Sequence, residues 1–420
     1  MAKATFLFIH AAILALALWV SPSEGHDSNR TTDGSQTTNI YNYNVNIDLS
    51  GAFDRVYAFG GSGTDNGNAR LMGGLQNFVG AWLRAVNGDL AVRDGVSDSD
   101  SNSEGGGASG DPSIVGNGLT NGELVIDHIC HALGIPQVPP YKNQSSNFSN
   151  GANFALAGST ALPGSFLQKN NLLSLIWKTI PQTYELQLQW FNEFMQKLKS
   201  GAKPDMERAL FWIGSVGARD FSRIHMASTF SAGWVTHNAI DHVHKLIQGM
   251  VKHGAKFFVV QGLPPIGCLP LDLILSPVSE RDQFGCAARI NKAVLNHNVL
   301  LQKKLGELQK LFPHCVFVYA DVWKAFTKVL AAHHKFGFQE PFKACCGFGG
   351  GPLNFQIGHL CGTLHTSVCP KAAKHIIWDG IHLTAAMHKV LAKLLIHGRC
   401  THPTIPNLIK FKKGLIHHLF

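Results

Sequence analysis

Residues 55–68 read Arg55-Val56-Tyr57-Ala58-Phe59-Gly60-Gly61-Ser62-Gly63-Thr64-Asp65-Asn66-Gly67-Asn68. A short run of β-forming residues ends in a glycine-rich turn. Comparable runs recur at 152–156 (ANFAL), 209–214 (ALFWIG), 256–261 (KFFVVQ) and 315–320 (CVFVYA). Segments with helical spacing lie between or after them, at 121–133, 182–199, 230–253, 287–311 and 384–397. Within 287–311, Ile290, Val294, Leu295, Leu301, Leu305 and Leu308 mostly recur at three- and four-residue steps, the period of one helix face. Continuous apolar runs alternating with helices predict an α/β fold whose mostly parallel sheet is covered on both faces. Ligands of such sheets bind beyond the carboxyl ends of the strands. The polar residues that follow each run are therefore the candidates for chemistry.

After the first run, Ser62 stands between Gly61 and Gly63 on a strand-to-helix turn that exposes a hydroxyl at little steric cost. It is not the Gly-x-Ser-x-Gly elbow, because Thr64 occupies the last glycine position, and alone it is a weak signal. After the second run come Ala157-Gly158-Ser159-Thr160, and after the third Gly214-Ser215-Val216-Gly217-Ala218-Arg219-Asp220. Both are places where backbone N–H groups can face a ligand, and each alone reads equally as an ordinary loop. Near the C-terminus stands Trp378-Asp379-Gly380-Ile381-His382-Leu383-Thr384. An Asp three residues before a His can accept the imidazole N–H, fix its tautomer and stabilise the imidazolium; it can also simply cap a turn.

Taken together, in this order, the stretches resemble the GDSL esterase/lipase family of the SGNH hydrolase superfamily, and most closely its secreted plant-type branch. The resemblance runs from about Arg55 to Cys400 and includes Gly151-Ala152-Asn153-Phe154-Ala155, Pro265-Ile266-Gly267-Cys268, Asn291, Asn298 and Ala344-Cys345-Cys346-Gly347. It implies a flavodoxin-like three-layer α/β/α fold. It also implies Ser62 as nucleophile, His382 as general base and then acid, and Asp379 as its orienting partner. The oxyanion would be held by the N–H groups of Ser62 and Gly158 and by a side chain of the third block. Two positions depart from the family pattern. Gly61 stands where the first block has Asp, and Arg219 stands where the third block has the oxyanion-binding Asn. Loss of one oxyanion donor is worth about 100- to 1,000-fold in turnover, so Arg219 bears directly on how active the enzyme is.

The chain has 420 residues, 45% of them hydrophobic and 15% charged, which excludes a disordered or fibrous protein. Lys3, the apolar run from Ala4 to Val20, and Ser23 and Gly25 at a −3/−1 spacing read as a signal peptide over 1–25. A loose polar leader (26–50), a hydrolase domain (51–400) and a C-terminal tail (401–420) are expected to follow. Residues 97–111 (SDSDSNSEGGGASGD) read as a flexible insertion within the domain. The formal charge of +9 is scattered, with no basic arm or aromatic-basic stripe, so a nucleic-acid partner is not expected. Nine cysteines in an oxidising compartment should mostly pair, leaving at least one over. The five between Cys345 and Cys400 suggest a stapled loop, and the absence of Cys-x-x-Cys pairs argues against zinc. Asn29, Asn143 and Asn147 begin glycosylation sequons.

The leading expectation is a secreted, extracellular, monomeric serine esterase without metal or organic cofactor and without a membrane span. Its substrate would be a small-molecule, lipid or cell-wall ester bearing an acyl or acetyl group. Two alternatives remain on the same fold: a catalytically impaired binding protein, or an acyltransferase in which an alcohol replaces water. Trp177, Trp190, Phe191 and Phe194 invite a substrate groove, but the four-residue step from Trp190 to Phe194 favours core packing. His333-His334 and His417-His418 read as solvated surface or tail.

Overall fold

The computed structural model describes residues 48–72, 119–170, 182–198, 205–224, 231–363 and 365–419. The expected signal peptide, nearly all of the polar leader with Asn29, the insertion at 97–111 and Trp177 lie outside them.

The strands are β1 (Arg55–Phe59), β2 (Gly151–Asn153), β3 (Ala209–Ile213), β4 (Phe257–Gln261), β5 (Val316–Ala320), β6 (Cys346–Gly347), β7 (Ser367–Val368) and β8 (Thr401–His402). The helices that matter below are α1 (Asn68–Leu71), α2 (Val125–Ala132), α3 (Tyr184–Leu198), α4 (Ala218–Ile224), α5 (Ala232–Val251), α6 (Pro270–Leu275), α7 (Ala288–Leu311), α8 (Val322–Ala331), α9 (Ala385–His397) and α10 (Ile405–Lys412). The main sheet has the order β2-β1-β3-β4-β5-β8. Its first five strands are parallel, with Val56 opposite both Gly151 and Leu210, and β8 joins β5 antiparallel. The run 2-1-3-4-5 is the flavodoxin-like order, whose switch point lies between β1 and β3.

The strands are apolar throughout because both faces are covered. Val56, Ala58, Leu210, Trp212, Val259 and Val318 point into one core with α2, α8 and α9. Their neighbours Tyr57, Phe59, Phe211, Ile213, Phe258, Val260 and Phe317 point into the other with α3, α5 and α7. Alternate residues of one strand thus supply opposite layers. Trp190, Phe191 and Phe194 sit in this second core, packed around Tyr57, Phe59, Tyr141 and Phe154, so they are structural aromatics.

Helix and strand bounds lie within four residues of the sequence reading. The second run forms regular ladder only through Asn153, yet Phe154 and Leu156 N–H still bond to Ala58 and Gly60 O at 2.7 and 3.0 Å. Residues 401–420, read as a tail, depart from expectation. Ile405, Leu408 and Ile409 form a helical apolar stripe on α10 that is buried in the first core, and β8 completes the sheet edge. The folded unit therefore continues past Cys400.

Disulfides join Cys268–Cys286, Cys345–Cys369 and Cys346–Cys361. The last two staple the expected loop. Cys400 does not belong to that staple; it is buried and unpaired, as are Cys130 and Cys315. Asn143 and Asn147 lie on a surface segment. His334, His417 and His418 are exposed. Among the described residues no helix is long and apolar enough to cross a membrane.

Candidate active site

Strand β1 delivers the chain to the switch point, where it turns sharply. Gly60 has φ +147°, and a Cβ there would stand 3.0 Å from Gly214 Cα at the end of β3. Only glycine suits both the dihedral and the approach. Thr64 and Asp65 N–H both donate to Gly61 O at 3.0 Å, closing the turn that carries Ser62. The turn is clamped from below. Gln187 of α3, wholly buried, accepts from Gly60 N–H (2.9 Å) and donates to Gly60 O (2.8 Å) and Ser159 Oγ (3.1 Å). Asn153 donates to Thr64 O at 2.7 Å, and Asp65 accepts from the N–H groups of Gly67, Asn68, Ala69 and Ala157.

The loop before α9 presents the base. Asp379 Oδ1 accepts from Ile381 and His382 N–H at 3.0 and 2.7 Å, while Oδ2 meets His382 Nδ1 at 2.7 Å. Burial pushes the Asp379 carboxyl up, but the adjoining His382 imidazole and the three hydrogen bonds outweigh it and hold it below its ordinary value. Gly380 needs φ +88°, and a Cβ on it would strike the Phe355 ring. Trp378 N–H bonds to His382 O at 2.7 Å. Thr120 and Asn121 hold Leu383 O and Ala385 N–H at 2.8 Å each, and Thr384 caps α9.

The other ring nitrogen, Nε2, meets Arg219 Nη2 at 3.0 Å. A guanidinium only donates. Nε2 is therefore the acceptor and Nδ1 carries the proton, which is donated to Asp379. The tautomer is determined from both sides, and it is the one a general base requires. Arg219 opens α4 and is buried. Desolvation pulls its pKa down, opposed by the charges of Asp379 and Asp272. Asp272, on α6, is 1% exposed, and its Oδ2 has no hydrogen-bond partner among the described residues. Burial lifts its carboxyl to about 7 against the pull of Arg219.

Ser62, Arg219 and His382 line one cavity of about 130 Å³, with Tyr184, His388 and Pro264 among its other walls. The cavity opens at the carboxyl ends of β1 and β3. Asp379 stands behind His382. Gly158 is the exception among the sequence-derived candidates. It is not among the described residues lining this cavity; it takes a left-handed conformation (φ +80°) in a turn closed by Ser159 N–H and Leu156 O. Its loop still follows β2, the hydrogen-bonded neighbour of β1.

Several supporting residues were not legible as such. Asp220 accepts from Ala161 and Leu162 N–H at 2.9 Å each, tying α4 to the loop after β2. Asn298 of α7 grips Leu263 through N–H (2.7 Å) and O (2.9 Å), and Asn291 accepts from Gly267 N–H. These bonds hold the Pro264-Pro265-Ile266 wall in place. Asp220, Asn291 and Asn298 sit in quoted motifs; Gln187 and Asp272 carry no sequence signal beyond a polar residue on an otherwise apolar helix face.

Comparison with known proteins shows the family. The profile of the GDSL-like lipase/acylhydrolase family matches residues 100–395. GDSL esterase/lipase At3g48460 of Arabidopsis thaliana is 35% identical over 365 residues, covering 85% of this chain and 89% of that protein. Acetylajmalan esterase 2 of Rauvolfia serpentina is 30% identical over 355 residues, covering 82% and 90%. With a mostly parallel flavodoxin-ordered sheet and helices on both faces, the chain belongs to the GDSL esterase/lipase family and is a carboxylic ester hydrolase of the SGNH fold.

Proposed function

We propose that the protein is a secreted serine esterase working through an acyl-Ser62 intermediate. The observation that carries this reading is the 2.7 Å bond from His382 Nδ1 to Asp379, with Nε2 turned to the cavity that Ser62 lines. Ser62 Oγ attacks the ester carbonyl carbon while its proton passes to Nε2. The tetrahedral intermediate collapses, and the alkoxide leaves with the proton from Nε2. Water then attacks the acyl-serine by the same route, releasing the acid and restoring Ser62. The negative oxygen is held by the Ser62 N–H, and Arg219 occupies the place of the family's side-chain donor; Gly158, outside the cavity lining, would contribute its N–H only if its loop after β2 moved toward Ser62. No metal or organic cofactor takes part in these steps. Secretion is supported by the signal-like run before Val20 and by three disulfides, which persist in oxidising compartments.

One observation favours a second reading, a catalytically impaired binding protein: the lone pair that must take the Ser62 proton is engaged by Arg219. Hydrolysis of p-nitrophenyl acetate by the secreted protein, Ser62→Ala and His382→Ala separates the two. Turnover lost in both variants supports the esterase. A folded wild type no faster than Ser62→Ala on a panel of short acyl esters supports the binding protein.

A further inference from the structure

The charge inside the cavity says what kind of acyl group it takes. Among the described lining residues there is no Asp or Glu, and Arg219 is the one Lys or Arg. The other titratable walls are Tyr184, His382 and His388. His388 is buried, and desolvation holds it neutral, as it does the Tyr184 hydroxyl. Arg219 is therefore the one fixed positive charge among the described lining residues, set in a wall that is itself buried. That charge lies beside the chemistry, since Arg219 Nη2 is 3.0 Å from His382 Nε2.

We propose that this pocket selects half-esters of short dicarboxylic acids, esters whose acyl chain ends in an ionised carboxylate, and that Arg219 is the residue that reads it. The inference rests on the esterase reading of Ser62. The planar guanidinium matches a carboxylate bidentately, and its closeness to Nε2 limits the acyl chain to a few carbons.

The same contact makes recognition and activation one event. While Arg219 donates to Nε2, the imidazole cannot accept the Ser62 proton. A substrate carboxylate that draws the guanidinium onto itself frees that lone pair with His382 still neutral and bonded to Asp379. A neutral ester lacks this pull and must compete with Arg219 for Nε2. Asp379 and Asp272 attract Arg219 from the protein side, so a substrate carboxylate has to compete with them; Asp379 is already bonded to His382, and burial keeps the Asp272 carboxyl only partly ionised near neutrality.

The test compares monoethyl and diethyl glutarate, which differ in one carboxylate. Wild type is expected to show kcat/KM at least about tenfold higher for the monoethyl ester. In Arg219→Met and the length-matched Arg219→Gln that preference disappears, and Arg219→Lys keeps part of it. Equal or better use of the diethyl ester by wild type overturns the proposal, as does a preference that survives in either neutral variant. Calorimetric titration of Ser62→Ala with the same two compounds separates this idea from the esterase reading. Tighter binding of the monoethyl ester, lost in Ser62→Ala/Arg219→Gln, establishes the anion site even if wild type hydrolyses neither. Turnover without monoester preference leaves the esterase standing and the anion site refuted. Equal binding of both compounds with no turnover refutes both.

Discussion

Replacing Gln187 by Leu should destabilise the protein and disable Ser62 together, although Gln187 lies below the nucleophile turn rather than in the list of catalytic groups. The buried amide makes two bonds to the backbone of one residue, Gly60, at 2.9 and 2.8 Å, and a third to Ser159 Oγ at 3.1 Å. Leucine deletes all three. Gly60 O keeps its bond from Leu156 N–H, whereas Gly60 N–H is left buried without an acceptor. An orphaned buried donor costs about 1–3 kcal/mol, and the two further bonds add about 0.5–1.5 kcal/mol each, for a total of about 2–4 kcal/mol after partial relaxation. Urea unfolding should show that loss at unchanged m-value. Reaction of Ser62 with a fluorophosphonate should slow at the same time, because the turn loses its anchor. Gln187→Glu separates hydrogen bonding from volume. Its ionised carboxylate would face Gly60 O, so the folded state should raise its pKa above the unfolded value. Its stability should then be highest at low pH and fall as pH rises through the folded pKa. A Leu variant within about 0.5 kcal/mol of wild type with unaltered labelling, or a pH-independent difference between Glu and wild type, would refute the clamp.

Other outcomes follow from the same contacts. Asp379→Asn should lower turnover by about 10,000-fold with little effect on KM, because an amide N–H facing Nδ1 favours the tautomer whose Nε2–H opposes Arg219; steady-state kinetics checks this. His297 is buried on α7, neither ring nitrogen has a partner among the described residues, and desolvation pushes it down to about 4. Its folded pKa lies below the unfolded value, so its neutral form carries no penalty at pH 7.5, and stability is lost as pH falls from about 6.5 toward 4, by about 2 kcal/mol at pH 5. His297→Leu should remove that part of the pH dependence in denaturant titrations at pH 7.5 and 5. Arg219→Asn should raise kcat for neutral esters by about tenfold or more, since it frees Nε2 and restores an amide donor.

The α/β class was legible because β1, β3, β4 and β5 are buried on both faces, which leaves near-continuous apolar strings in the sequence. The signals for Ser62, Asp379 and His382 were short-range: a glycine turn and an Asp three residues before a His. The contact between Arg219 and His382 was not legible, because 163 residues separate them and only the meeting of the loop after β3 with the loop before α9 joins them. The same holds for Gln187 and Gly60, which are 127 residues apart. Residues 401–412 were misjudged because their stripe is three apolar residues long, too short to distinguish a packed helix from a tail without its partner surface.

The central claim is that Ser62 is an activated nucleophile served by His382. Fluorophosphonate labelling of the secreted protein, with the adduct mapped by mass spectrometry, tests it without requiring the natural acyl group. The account predicts one adduct per chain, on Ser62, absent from Ser62→Ala, strongly slowed in His382→Ala and faster in Arg219→Asn. A folded wild-type protein that takes up no label, and stays unlabelled when Arg219 is replaced by Asn, would contradict it.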